Sequence, residues 1–103
     1  MKRKARPPQI AHLRDKVCNC IDHDKYTQTI HALKRESERS IDLPDTLYVL
    51  KKGRHEKSKT TFDEIFQTWK YAIRGRTLDN EDIRVVIAFD DEDMLIITVI
   101  KIV

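Results

Sequence analysis

Two β-branched runs separated by four consecutive acids constrain this chain more than any other feature. Ile83-Arg84-Val85-Val86-Ile87-Ala88-Phe89 comes first, Asp90-Asp91-Glu92-Asp93 follows, and Met94 to Ile102 is the most apolar stretch of all. Such runs read as strands and the acids between them as a hairpin loop. Upstream, Trp69, Tyr71 and Ile73 alternate with Lys70, Ala72 and Arg74, and Gly75 punctuates. Short runs joined by tight polar loops predict an antiparallel meander. Within 54–68, Lys59-Thr60-Thr61-Phe62 reads as a further strand, and Asp63 to Gln67 as a strand or a helical turn.

The first half has a different period. Ile10, Leu13, Val17 and Ile21 recur at helical spacing over Gln9 to Asp22, with Pro8 where a first turn tolerates it. Tyr26 to Thr29 reads as a short extended link. A second helix is predicted over Ile30 to Arg39, with Leu33 on its apolar side. A third opens at Pro44 or Asp45, carries Leu47 and Leu50, and closes at Gly53. The expected architecture is α+β: two or three N-terminal helices packed on one face of a three- to four-stranded antiparallel sheet. Residues 1–8 read as a flexible basic arm, and 9–103 as a single domain, since 103 residues leave no room for a second.

The net charge of +3 says less than its distribution. Lys2, Arg3, Lys4 and Arg6 crowd the start, and Lys51, Lys52, Arg54, Lys57 and Lys59 form a second basic cluster. The acids gather at Asp79, Glu81, Asp82 and 90–93. This segregation suits a basic working face, and equally an ordinary solvated surface. No apolar run is long enough to span a bilayer, and the basic start leads into an amphipathic helix rather than a signal core, so a cytoplasmic protein is expected. Cys18 and Cys20, two apart on a helix, point in different directions and so form no disulfide, and they lack the second pair of a zinc site, so no metal is expected.

Lys70 and Arg74 share one strand face. Arg84 lies opposite Ile83, Val85 and Ile87, and Lys101 is placed with Leu95, Ile97 and Val99. Each cation alone reads as an edge residue that snorkels. Together they could stabilise a phosphoryl transition state when a ribose 2′-hydroxyl attacks phosphorus, a cleavage that needs no metal or cofactor. His31 with Arg35 one turn later could touch a phosphate, and His55 beside Lys57 could move a proton. Both also read as capping, packing or plain surface. Lys59, Arg74 and Arg76 could hold an RNA backbone, and Trp69 or Tyr71 could stack a base, although both aromatics read better as core. Gly-rich phosphate loops are excluded, because Gly53 and Gly75 are the only glycines.

The stretch His31-Ala32-Leu33-Lys34-Arg35 with Glu38-Arg39-Ser40-Ile41 resembles the "HAxxR…ER-x-I" opening of a domain family of unknown function found beside YgiT-type zinc-finger antitoxins. Residues 69–75, 83–89 and 95–99 follow in matching order. Glu56-Lys57-Ser58-Lys59-Thr60-Thr61-Phe62 looks like the "YKSMTTY" segment of RelE/MqsR-like toxins, and the layout of 8–102 is similar to theirs. The resemblance implies a toxin of a type II toxin–antitoxin system. Such a toxin is a metal-independent endoribonuclease (mRNA interferase) that cleaves single-stranded mRNA, free or on the ribosome, and inhibits translation. Its implied partner is a cognate antitoxin of zinc-finger or helix-turn-helix type. Lys57 aligns with an active-site lysine of that family, and Lys101 falls near a C-terminal one. Lys70 stands where the family has an active-site glutamine, and Arg84 near a tyrosine, so a cation would serve phosphate stabilisation at both. The catalytic set so implied is Lys57, Lys70, Arg84 and Lys101. The rival expectation is a non-catalytic RNA- or protein-binding regulatory module on the same fold.

Overall fold

The computed structural model describes residues 5–102. Three helices, α1 (Leu13–Asp22), α2 (Ile30–Glu38) and α3 (Leu43–Lys52), are joined to six strands. These are β1 (Tyr26–Gln28), β2 (Arg54–His55), β3 (Thr61–Asp63), β4 (Thr68–Arg76), β5 (Asp82–Asp90) and β6 (Asp93–Lys101). The expected α+β class and the antiparallel β4-β5-β6 meander are present. The sheet is larger than expected and mixed. Its order is β1-β6-β5-β4-β2, with β3 also on β4, and β1 runs parallel to β6. The link at 26–29 has become a strand because the edge of β6 leaves unpaired backbone groups for it to meet.

Each helix begins where its local chemistry allows. Thr29 caps α2: its hydroxyl accepts the Ala32 N–H and donates to the Ile97 carbonyl, so the helix start is tied to β6. Asp42 caps α3 in a reciprocal capping box with Asp45, and Pro44 lies in the first turn. The first helix starts later than its apolar spacing predicts. The Ile10 N–H donates to the Tyr71 hydroxyl, and Trp69 Nε1 donates to the Pro7 carbonyl. These bonds hold 7–10 down along β4 instead of in a helical turn. Arg6 pairs with Glu64 and lies over the Phe62 ring, so this part of the arm is docked rather than loose. Residues 1–4 of the expected arm lie outside the described residues.

The core lies between the helices and one face of the sheet. Val17 and Cys20 of α1, Ala32 of α2 and Val49 and Leu50 of α3 meet Ile73, Ile83, Val85, Ile87, Ile96 and Val99. Cys18 and Cys20 are both free thiols. In α2 the inward positions are Ala32 and Glu36, not Leu33, which is 51% exposed. The small Ala32 lets the helix approach the sheet, and the Glu36 carboxylate accepts the Thr46 hydroxyl at 2.7 Å, joining α2 to α3.

The two glycines meet across this layer. An added Cβ on Gly75 would lie 3.0 Å from the Gly53 Cα. One on Gly53 would lie 2.6 Å from both the Arg74 and Val49 carbonyl oxygens. Gly75 therefore does not break the strand, as its punctuation suggested. β4 runs through it to Arg76, and the glycine gives room for the end of α3. Gly53→Ala would overpack two backbone carbonyls that cannot move aside. It is expected to lower the unfolding free energy by about 1–3 kcal/mol, read as a lower urea midpoint with unchanged slope.

Candidate functional site

The sheet face turned away from the helices carries the polar side chains. After Gly53, β2 pairs Arg54 with Arg74 and His55 with Ile73, and the Glu56 N–H extends the ladder to the Ala72 carbonyl at 2.8 Å. A 3-10 turn at Lys57–Lys59 follows. Thr60 locks this turn: its hydroxyl accepts the Ala72 N–H, donates to the Glu56 carbonyl and lies 2.8 Å from His55 Nε2. Burial, then the nearby Lys57 charge, hold His55 below its ordinary value of 6.5, so the ring is neutral at pH 7.

The lock sends the Glu56 carboxylate onto the open face, between two arginines. Arg84 grips it with Nε at 2.6 Å and Nη2 at 3.2 Å, and Arg74 Nη1 reaches it at 3.3 Å. Arg74 turns its remaining donors to Asp82, at 2.7 and 3.1 Å. A four-membered chain results: Arg84, Glu56, Arg74, Asp82. Glu56 is held below the ordinary carboxylate range, chiefly by the Arg84 hydrogen bonds, and Asp82 likewise by those from Arg74. All four side chains are half-buried, where charge-assisted bidentate bonds are at their strongest.

The structure brings some of the expected site residues together and separates others. Arg74 and Arg84 face each other directly across β4 and β5. Lys57 and Lys59 are exposed on the turn beside Glu56. Arg76 points out near the Asn80 loop. Lys70 shares the open face but lies about 13 Å along β4 from Arg74, at ~3.3 Å per residue, and pairs with Asp63 at 3.1 Å. Lys101 is on the other face. A bulge opposite Val86/Ile87 adds one residue to β6, which reverses the alternation: Leu95 opposes Ala88 on the open face, while Lys101 opposes Ile83 on the helix face. There it pairs with Glu81. His31 and Arg35 lie on α2, against β6 at the opposite edge of the sheet from Lys57, and Arg35 pairs with Glu38. Tyr71 and Trp69 are packed on the helix face, Tyr71 beside His55 and Phe89, and Trp69 edge-on to Phe62.

Glu56 and Asp82 are the residues that reasoning from sequence missed. Glu56 stands directly before Lys57 in the segment that resembles the toxin motif, which was the available signal. Nothing in the sequence near 56 states that the carboxylate crosses β4 to reach Arg84. Among the described residues, no group of three or more His, Cys, Asp and Glu is arranged to hold a metal, and no helix is long and apolar enough to cross a membrane.

The titration of this site has a definite sign. His55, Glu56 and Asp82 all have folded values below their ordinary ones, so the unfolded chain binds more protons and stability falls as pH falls. The His55 contribution is complete above 6.5 and is lost below it. The contributions of Glu56 and Asp82 are complete above 4.5 and 3.8 and are lost as the pH drops further. Urea midpoints measured from pH 8 to 3 are expected to fall in two stages. His55→Gln should flatten the first stage, and Glu56→Gln should reduce the second.

No curated protein and no solved structure matches this chain significantly. A family described as a domain of unknown function, DUF4258, matches residues 29–101, from the cap of α2 to the end of β6, and so includes every member of the Arg84–Glu56–Arg74–Asp82 chain. The protein belongs to that DUF4258 family.

Proposed function

We propose that this protein is a RelE/MqsR-like toxin of a toxin–antitoxin pair: a metal-independent endoribonuclease that cleaves single-stranded mRNA in the cytoplasm. The observation that carries this reading is the Glu56 carboxylate set between Arg84 and Arg74 on an uncovered sheet face. Cleavage by the neighbouring 2′-hydroxyl needs a base for its proton, donors for the phosphoryl oxygens, and an acid for the leaving oxygen. Arg84 and Arg74 supply the donors. A phosphate arriving on them competes with Glu56 for the same N–H groups. As the carboxylate loses those partners its basicity rises, and it accepts the 2′ proton. The 2′-oxygen bonds to phosphorus, the bond to the 5′-oxygen breaks, and Lys57 beside the site protonates that oxygen. The products are a 2′,3′-cyclic phosphate and a 5′-hydroxyl end. Lys59 and Arg54 draw in the flanking backbone. Lys101, His31 and Arg35 have no part in this scheme.

A second reading is supported by the same ion pairs. Both arginines of the cluster are already matched by carboxylates, as in a surface built to be neutral. On that reading the chain is a non-catalytic RNA- or protein-binding regulatory module. In either case a zinc-finger or helix-turn-helix antitoxin encoded alongside is the proposed partner.

Induced expression in a bacterial host separates the two. The toxin reading expects growth arrest with mRNA fragments bearing 5′-hydroxyl ends. Glu56→Gln should reduce cleavage by about 10²–10⁴-fold, the usual contribution of a general base, and Lys57→Ala should also weaken it, with both variants folded by circular dichroism. Full toxicity from folded Glu56→Gln would eliminate this mechanism. Salt-sensitive RNA binding without cleavage products would favour the module.

A further inference from the structure

The open sheet face holds a second feature, at the far end from Glu56. A cleft of about 490 Å³ lies between the β3–β4 hairpin and the β5–β6 strands. Its floor is Ala88, Leu95 and Ile97, and the bulge in β6 falls at this point. Phe66 forms one wall while remaining 77% exposed. The hairpin tip is fixed, because the Asp63 carboxylate accepts the N–H groups of Ile65 and Phe66 at 2.9 and 3.1 Å. Asp63, Thr68 and Asp90 form a polar rim.

We propose that this cleft receives one unstacked RNA base, and that guanine fits it best. The inference rests on the RNA reading of the Arg84–Arg74 site. Ala88 lies four residues from Arg84 on β5, and Lys70 four residues from Arg74 on β4, all on one face. The cleft is therefore about 13 Å from the arginines, at ~3.3 Å per residue, a distance that a short extended stretch of single strand covers. The chemistry of the rim selects the occupant. Lys70 also lines the cleft and balances Asp63, while Asp90 faces Asp93 at the acidic β5–β6 turn. The rim therefore keeps a negative balance that disfavours a phosphate, and the backbone stays on the arginines. A purely aliphatic ligand would leave Asp90 and Thr68 without hydrogen bonds. A flat heteroaromatic group with N–H donors on its edge satisfies both, against an apolar floor and an aromatic wall. Among the described residues Asp63 is committed to Lys70 and Asp90 has no ion-pair partner, so Asp90 is the acceptor for the base edge. Guanine alone presents two adjacent N–H donors on its pairing edge, which one carboxylate can accept together.

The test is an amide NMR titration of the full chain with four uncleavable 2′-deoxy trinucleotides, each of a single base, and with inorganic phosphate alone. Phosphate is expected to shift amides around Arg74 and Arg84 only. The guanine trinucleotide, long enough to reach both places, should shift these and also Phe66, Ala88, Leu95 and Ile97. Phe66→Ala, at an exposed position, should weaken its binding about 10-fold, the scale of one base–aromatic stack, without changing phosphate binding. Asp90→Asn should remove the preference over the other bases. Trinucleotide shifts confined to the arginines would overturn the cleft proposal and leave the cleavage site standing. Shifts at the cleft with silent arginines would support the cleft and count against the cleavage site. Equal cleft shifts from all four trinucleotides would overturn the guanine assignment.

Discussion

The contact between Gly53 and Gly75 sets the spacing on which the open face depends. At this point the end of α3 lies against β4 with no side chain between them. The chain leaves the helix already beside the strand and can pair with it at once. Arg54 and His55 add to the edge of β4, and Glu56 continues the ladder with its N–H on the Ala72 carbonyl. A Cβ at Gly53 would collide with the Arg74 carbonyl, and Arg74 is itself in the charged chain. Helix packing, edge pairing and placement of the carboxylate are thus one geometric problem.

The sheet has two faces with different energetics. One is closed by three helices and filled with aliphatic side chains, where area removed from water supplies the stabilisation. The other holds half-buried charges, and these are stable only because they are paired. Removing one partner from such a chain leaves its neighbour desolvated and unmatched, which is why paired charges of this kind couple fold and site. On the proposed reading the same property lets the cluster respond to an anion, since a phosphate would offer the arginines a new partner and free a carboxylate.

Much of the fold was legible because periodicity reports the face that a residue occupies. Ile83, Val85 and Ile87 alternate with Arg84 and Val86, and the buried and open faces follow that alternation. Pro44 and Gly53 marked the position of α3, although the helix opens at Leu43 on its Asp42 cap, one or two residues before the expected start. Strand β1 was less legible, because three residues carry little period and their pairing depends on a β6 edge about seventy residues away. The bulge at Ile97 was invisible for a similar reason: a one-residue insertion is defined only against the partner strand. It moved Lys101 to the helix face and took it out of the group with Arg84. Leu33 misled because helical spacing identifies an apolar stripe, while the close approach of α2 to the sheet favours the smaller Ala32.

By itself the sequence determined the α+β class, the presence and order of the three helices, the β4-β5-β6 meander and the presence of cations on strands. These follow from local propensity and from the period of apolar residues, which are properties of neighbours along the chain. Only the tertiary structure decided that Glu56 lies between Arg84 and Arg74, that Asp82 completes the chain, and that Phe66 stands over a cleft. These are pairings across strands, between residues up to twenty-eight positions apart, and such distances are set by register. Register in turn depends on a bulge, on one hydroxyl at Thr60 and on two glycines in contact, none of which can be read from spacing along the chain.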